Sequence, residues 1–403
     1  MAEKIRHILI FSHALELGGA ERALIGLLHA LDYTKAHVDL FLMRHEGELL
    51  QYIPRQVNLL PEIPQYASLA TPLKNVIQKK QAGIAFGRFL GKMAAKRRER
   101  ELRITSGSVI GLEYSHKYTR PFMPPVSNRE YDLAISFLTP HYFVAEKVKA
   151  KKRVAWIHTD YTKISLDQES EKAMWGRYDH IASISDAVGE CFCQVFPELQ
   201  DRLVKIENIL PAAMIRQSAS ADCPSDFPAD GALRLLSIGR YCEAKNFDNV
   251  PDICRRLLEM GLNIKWYIIG FGGGEALIRR KISETGMENH VILLGKRSDP
   301  YPYIAHCDLY VQPSRYEGNS VTVREAQLLG KPVVITRYAT SASQMEDGID
   351  GIIVPMDNAG CAAGIAKLLR RPEEMIQLAK NCRMRDYSNA RQADMLLNLL
   401  EKD

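Results

Sequence analysis

The 403-residue chain lacks any apolar run approaching the roughly 20 residues that a membrane-spanning helix requires, so a helical span is not expected. Cysteine is scarce. Its eight cysteines are scattered, and Cys191-x-Cys193 lacks a second pair that would complete a zinc site, so they read as reduced thiols. The start M-A-E-K-I-R-H-I-L-I-F runs straight into a strand pattern, which predicts no secretory leader and a cytosolic location. Net charge is only +5 and excludes little by itself; its distribution matters more. What is present is ordinary for a globular protein, with an apolar share of 46% and a charged share of 25%. The length is large for one core, so two domains are expected.

Short apolar runs alternate with helix-length segments along the whole chain. In the first half they are His7–Ser12, Val38–Met43, Leu133–Phe137, Arg153–His158, His180–Ser183 and Val204–Asn208. In the second half they are Leu233–Ile238, Lys265–Ile269, Val291–Leu294, Leu309–Gln312, Val333–Thr336 and Ile352–Val354. Six candidate strands in each half predict two α/β sheets of mainly parallel strands, with Asn208–Pro211 as the crossing.

The most informative stretch is E-G-N-S-V-T-V-R-E, Glu317 to Glu325, followed by A-Q-L-L-G-K-P-V-V-I-T. It predicts a loop, a buried helix with Asn319 or Ser320 as N-cap, a stop at Gly330 and a short buried strand. Backbone N–H groups at such a helix start suit an anion. Ionised carboxylates accept hydrogen bonds only, which suits vicinal hydroxyls. One loop could thus hold sugar hydroxyls, phosphate and ribose together. Two acids eight residues apart are, taken alone, more often solvated helix residues.

Other strand-end loops carry the same kind of residue. G-R-Y-C-E-A-K-N-F-D begins at Gly239 and supplies Arg240 and Lys245, two cations that could pin a diphosphate. Gly18-Gly19-Ala20-Glu21-Arg22 follows the first strand, where glycine lets a backbone approach a ligand. His158 ends the strand Arg153–His158, with Asp160 close behind, at the edge where open α/β sheets bind ligands. Ser183-Ile-Ser185-Asp186 reads as a helix-capping turn. Gly270-Phe-Gly-Gly-Gly-Glu275 invites a dinucleotide reading but follows a middle strand, so it reads as a tight turn into a helix.

Together, E-x7-E with its continuation, G-R-x4-K-N-F-D and G-G-A-E-R resemble the signature of retaining GT-B glycosyltransferases of family 4, the glycosyl transferases group 1. The resemblance spans nearly the whole chain. It implies a GT-B fold, two Rossmann-like domains facing a cleft. Residues 1–210 would bind the acceptor and 211–384 the nucleotide sugar, with the terminal helix, 385–403, packing back on the first domain. It implies a nucleotide-diphosphate sugar donor, UDP before GDP, and a glycan or lipid-linked acceptor in cell-surface polysaccharide or glycolipid synthesis. Glu325 would hold the ribose and Glu317 the donor sugar. Gly318, Asn319, Ser320 and Val321, with Arg240 and Lys245, would bind the diphosphate. Gly19 and His158 would approach from the first domain, and Arg297 would lie at the base. No metal or other cofactor is expected, and no D-x-D motif stands out. Asn319-Ser320 replaces the commoner aromatic with Gly or Pro, which leaves the sugar open. The alternatives are a non-catalytic GT-B subunit binding a partner enzyme and a nucleotide-dependent oxidoreductase.

Between Lys74 and Arg103 ten cations meet only Glu99 and Glu101, with Ile77, Ile84, Phe86, Phe89, Leu90 and Met93 interleaved. One reading is a solvated helical hairpin with an apolar inner stripe. The other is a surface against anionic lipid, on the inner face of the plasma membrane. No nucleic-acid recognition motif accompanies the run, and no nucleic-acid partner is expected.

Overall fold

The computed structural model describes residues 5–104 and 107–400. The chain divides into two units, one running to Ile209 and regaining the segment from Ala390, the other Leu210–Asn389. Residues 385–389 thus stay with the second unit.

The first unit is built on seven parallel strands: β1 (Arg6–Ser12), β2 (Ala36–Leu42), β3 (Asn58–Leu59), β4 (Glu130–Ser136), β5 (Lys149–Ile157), β6 (His180–Ser183) and β7 (Leu203–Lys205). Their order is β3-β2-β1-β4-β5-β6-β7. The second unit has β8 (Leu233–Ile238), β9 (Ile264–Ile269), β10 (Val291–Gly295), β11 (Leu309–Gln312), β12 (Val333–Thr336) and β13 (Ile352–Val354), in the order β10-β9-β8-β11-β12-β13, again parallel. Six strands were expected in the first sheet; β3 is the seventh, and two residues are too few to leave a periodic signal.

The strands read as unbroken apolar runs because both faces of a parallel sheet are covered by helices. Ile8–Phe11 and Leu309–Val311 are fully buried. In each sheet the strand order reverses beside the first strand, between β1 and β4 and between β8 and β11. Loops leaving the carboxyl ends of those pairs diverge and open a crevice, where α/β sheets bind ligands. The loops after β8 and β11 hold G-R-x4-K-N-F-D and Glu317–Ser320.

The basic run forms two helices, Leu73–Gln78 and Ala82–Glu101. The inward stripe of the longer one is Ile84, Gly87, Gly91 and Ala95. A β-carbon on Gly87 or Gly91 would lie 2.7 or 2.6 Å from the carbonyl oxygen of Tyr118 or Tyr114, so glycine there lets this helix sit against Ile110–Thr119. The large apolar residues face outward: Ile77 is 61% exposed, Phe86 56%, Phe89 53% and Met93 56%. An inner stripe of large apolar side chains is therefore not what the hairpin has. Arg88 donates to the carbonyls of Ser68 and Thr71, and Arg98 makes a two-point pair with Asp167 at 2.9 and 3.1 Å. These two cations are structural, whereas Lys92, Lys96, Arg97 and Arg100 are exposed.

Candidate nucleotide-sugar site

The loop after β8 is arranged residue by residue. The aliphatic stem of Lys245 lies over Gly239, where a β-carbon would approach its side chain to 3.1 Å. Asn246 takes a left-handed turn, φ 59°, a conformation asparagine tolerates better than most residues. Phe247 is buried in the core, and Asp248 accepts both guanidinium nitrogens of Arg315 at 3.0 and 2.8 Å. Arg315 also donates to the Glu243 carbonyl at 2.6 Å, tying the β11 loop to the β8 loop. Arg240 is exposed and enters no ion pair among the described residues.

The glycine run after β9 serves this loop. The Gly270 and Gly274 β-carbons would strike the Gly239 and Tyr241 carbonyl oxygens at 1.9 and 2.8 Å, and Gly272 sits at φ 147°. Tyr241 N–H donates to the Phe271 carbonyl and Gly274 N–H to the Tyr241 carbonyl, each at 2.8 Å. The glycines thus let two loops close on each other.

After β11, Lys245 Nζ lies 2.5 Å from Glu317 Oε1. Ser314 donates to the same oxygen at 2.6 Å, and Gln312 and Tyr310 extend the chain behind it. Gln312 and Ser314 are fully buried, so the Glu317 carboxylate is positioned from beneath. Thr340 fixes the Glu317 carbonyl at 2.8 Å. Ser320 is the N-cap of the helix Val321–Leu328 but makes no side-chain cap; its N–H donates to Gln344 Oε1 at 2.6 Å. That N–H is committed, so of the four expected backbone donors Ser320 is the one already engaged. Glu325 is fully buried in the helix, with Tyr301 donating to its Oε1 at 3.1 Å.

Lys245, Glu317, Gly318, Asn319, Ser320, Val321 and Glu325 thus cluster at the β8–β11 switch point, with Arg240 on its rim. Arg297 is beyond β10; its guanidinium pairs with Asp226 at 2.5 Å and donates to Tyr303 at 2.9 Å, leaving the side chain occupied. Gly19 and His158 belong to the first unit. Gly19 is exposed and opens the helix Gly19–Ala30. His158 Nε2 donates to the Phe137 carbonyl at 2.9 Å, and burial lowers its pKa to about 4. The ring is neutral at pH 7. Arg315, Ser314 and Gln344 carry no role in the sequence reading.

The glycosyl transferases group 1 model matches residues 225–385. That is about two fifths of the chain, and through this segment it is similar to that family. The amylovoran biosynthesis glycosyltransferase AmsK of Erwinia amylovora is 29% identical over 149 residues, 35% of this chain and 37% of that protein. The lipopolysaccharide core biosynthesis glycosyltransferase LpsE of Rhizobium meliloti is 28% identical over 153 residues, 38% and 42% respectively. The matched segments thus span about two fifths of these relatives. Over the full length, HepE of Anabaena in complex with UDP and glucose superposes with TM-score 0.68 at 18% identity, covering 98% of this chain and 99% of that one. TarM of S. aureus in complex with UDP gives 0.67 at 14%, covering 99% and 100%. The chain has the GT-B fold.

Proposed function

We propose that the protein is a retaining glycosyltransferase that moves a hexose-type sugar from a UDP-sugar to a glycan or lipid-linked acceptor in cell-surface polysaccharide synthesis. The observation that carries this reading is the Lys245–Glu317 pair with Glu325 at one switch point. Glu317 offers hydroxyl acceptors for the sugar. Lys245, Arg240 and the backbone N–H groups of Gly318, Asn319 and Val321 receive the diphosphate. Cations and a helix start stabilise the charge developing on the departing phosphate. Related proteins in cell-surface polysaccharide synthesis, and structures holding UDP, support the donor and product classes. His158 orients reactants and is too weak a base to take the acceptor's proton, which passes to the departing phosphate.

Isothermal titration of the full chain with UDP and with NAD tests this. UDP binding with no NAD binding is expected, followed by slow hydrolysis of one nucleotide sugar in a donor screen. NAD binding in place of UDP would overturn the reading.

The outward face of Ala82–Glu101 supports a lipid-linked acceptor. Phe86, Phe89 and Met93, then Lys96, Arg97 and Arg100, share one side at helical spacing, as in a helix lying in a membrane interface. Such a face docks on the anionic cytoplasmic leaflet, each cation contributing about 1 kcal/mol at low salt. Replacing Lys92, Lys96, Arg97 and Arg100 with Gln, while sparing Arg98, should release the protein from anionic vesicles and leave UDP binding unchanged. No vesicle binding by the wild type at low salt would leave the hairpin a solvated face. No helix among the described residues is long and apolar enough to cross a membrane.

A further inference from the structure

Strand β11 carries polar side chains where a strand covered on both faces ordinarily carries apolar ones. Alternate residues of a strand share a face, so Leu309 and Val311 turn to one side and Tyr310 and Gln312 to the other. Leu309 and Val311 join one core cluster, whereas Tyr310 packs in the other with Val321, Val323 and Ala326 of the helix. Tyr310, Gln312 and Ser314 are all fully buried. A buried polar group is costly unless it is hydrogen-bonded, and these three bond to one another in series. Tyr310 Oη lies 2.9 Å from Gln312 Oε1, Gln312 Nε2 lies 2.9 Å from Ser314 Oγ, and Ser314 Oγ lies 2.6 Å from Glu317 Oε1.

The Glu317 carboxylate, paired with Lys245, fixes the direction of every bond in this relay. An ionised carboxylate only accepts, so Ser314 must spend its one proton on Glu317. The serine oxygen then accepts from Gln312, which turns its amide N–H to Ser314 and its carbonyl to Tyr310. Tyr310 in turn must donate, and burial raises its pKa, so the phenol keeps its proton. Thr322 lies within hydrogen-bonding reach of the Tyr310 oxygen and 3.2 Å from Ser320 Oγ, so the relay returns to the start of the helix. A hydroxyl can turn either way. Of the three buried groups, only Gln312 has one end that donates and another that accepts.

We propose that Gln312 is a positioning residue for Glu317: its amide keeps the Ser314 hydroxyl turned to Oε1 and so sets the orientation in which the carboxylate meets the donor sugar. The sugar contact rests on the glycosyl-transfer reading; the direction of the relay does not.

Gln312→Glu reverses that direction on command. Protonated, the new carboxyl group donates to Ser314 and accepts from Tyr310, as glutamine does. Ionised, it only accepts, and it takes the Ser314 proton away from Glu317. The titratable groups around the relay are Glu317, Glu325 and Lys245, with Tyr310 on β11 and Tyr338 beyond β12. Burial raises both tyrosines, so neither ionises over the range tested. Donor hydrolysis by Gln312→Glu, relative to wild type, should therefore fall about threefold to tenfold as pH rises from about 6 to 9. Gln312→Met keeps the volume and loses both polar ends. It should lower turnover about threefold to tenfold throughout and leave UDP affinity as it was. A flat or rising ratio for Gln312→Glu, or UDP affinity falling in step with turnover in Gln312→Met, would overturn the role.

NMR of the full chain with 15N-labelled glutamine side chains reads the direction without any donor. The Gln312 amide signals are those missing from Gln312→Met. Their protons should show stronger NOEs to the Ser314 β-protons than to the Tyr310 ring, and the reverse pattern would overturn the relay. A wild type that neither binds UDP nor hydrolyses a nucleotide sugar condemns the transferase reading alone. Reversed NOEs in a protein that binds UDP condemn the relay alone.

Discussion

The two units place carboxylates near the carboxyl ends of similar sheets and treat them in opposite ways. In the second unit Glu317 is held by a cation, Lys245, and a serine hydroxyl. In the first unit Glu113 and Glu171 receive hydrogen bonds from Tyr142, Ser170 and Trp175, and burial favours their protonated forms. An ionised carboxylate accepts hydrogen bonds only, which suits hydroxyl groups. Burial in an apolar wall favours the protonated form of a carboxyl group. The same side chain thus stands beside a cation in one unit and in an apolar wall in the other.

The largest break in this contrast comes from Lys245→Met. If Lys245 faces the departing phosphate, as proposed, its removal should cost about 100- to 1000-fold in the turnover of donor hydrolysis. A turnover within a few fold of wild type would show that Lys245 serves only as a partner for Glu317. Glu325→Gln should weaken UDP by about 1.5–3 kcal/mol, the range for a hydrogen bond to a charged group, read by titration. Tyr301→Phe sharpens that result: it removes the hydroxyl that donates to Glu325, whose place ribose takes on the proposed reading, so UDP affinity should hold or improve. Equal losses in both variants would mean that the Tyr301–Glu325 pair is structural.

The first unit answers to pH. Glu171 has a folded pKa of about 8 against an ordinary 4.5, so it binds its proton more tightly folded than unfolded. That contribution is complete below pH 4.5 and lost as pH rises through 8. His116, His141 and His158, lowered to about 3, 3 and 4, act with the opposite sign below their ordinary 6.5. Between pH 6.5 and 8 the Glu171 contribution should therefore fall by up to about 1.4 kcal/mol per pH unit, and Glu171→Gln should flatten the profile. Urea unfolding of both proteins across that window reads the difference. Parallel profiles would place the proton elsewhere.

The second unit was the more legible in sequence because its loop residues act close to where they stand. Gly239, Lys245, Asn246, Phe247 and Asp248 each have a distinct task within ten residues. Arg315 and Gln344 were hidden because their partners, Asp248 and Ser320, lie 67 and 24 residues away and no local pattern marks the pairing. The buried carboxyl group of Glu113 in the first unit was hidden for the same reason. Its donors, Tyr142 and Ser170, lie 29 and 57 residues away, and His158 alone sat at a recognisable strand end. The basic helix carried a signal that was passed over. Gly83, Gly87 and Gly91, four residues apart, mark the face that packs closely, which turns the phenylalanines outward.

The central claim is that the second unit promotes departure of a phosphate without a covalent sugar–enzyme intermediate. Glu317 is held by Lys245 and Ser314, and Glu325 is fully buried beneath Tyr301. On the proposed reading Glu317 binds sugar hydroxyls and Glu325 the ribose, so neither serves as a nucleophile. The acceptor hydroxyl would then enter on the side the phosphate leaves. Proton NMR of the first-formed product from an α-linked donor decides the matter. An α-linkage is expected, and a β-linkage would contradict the account.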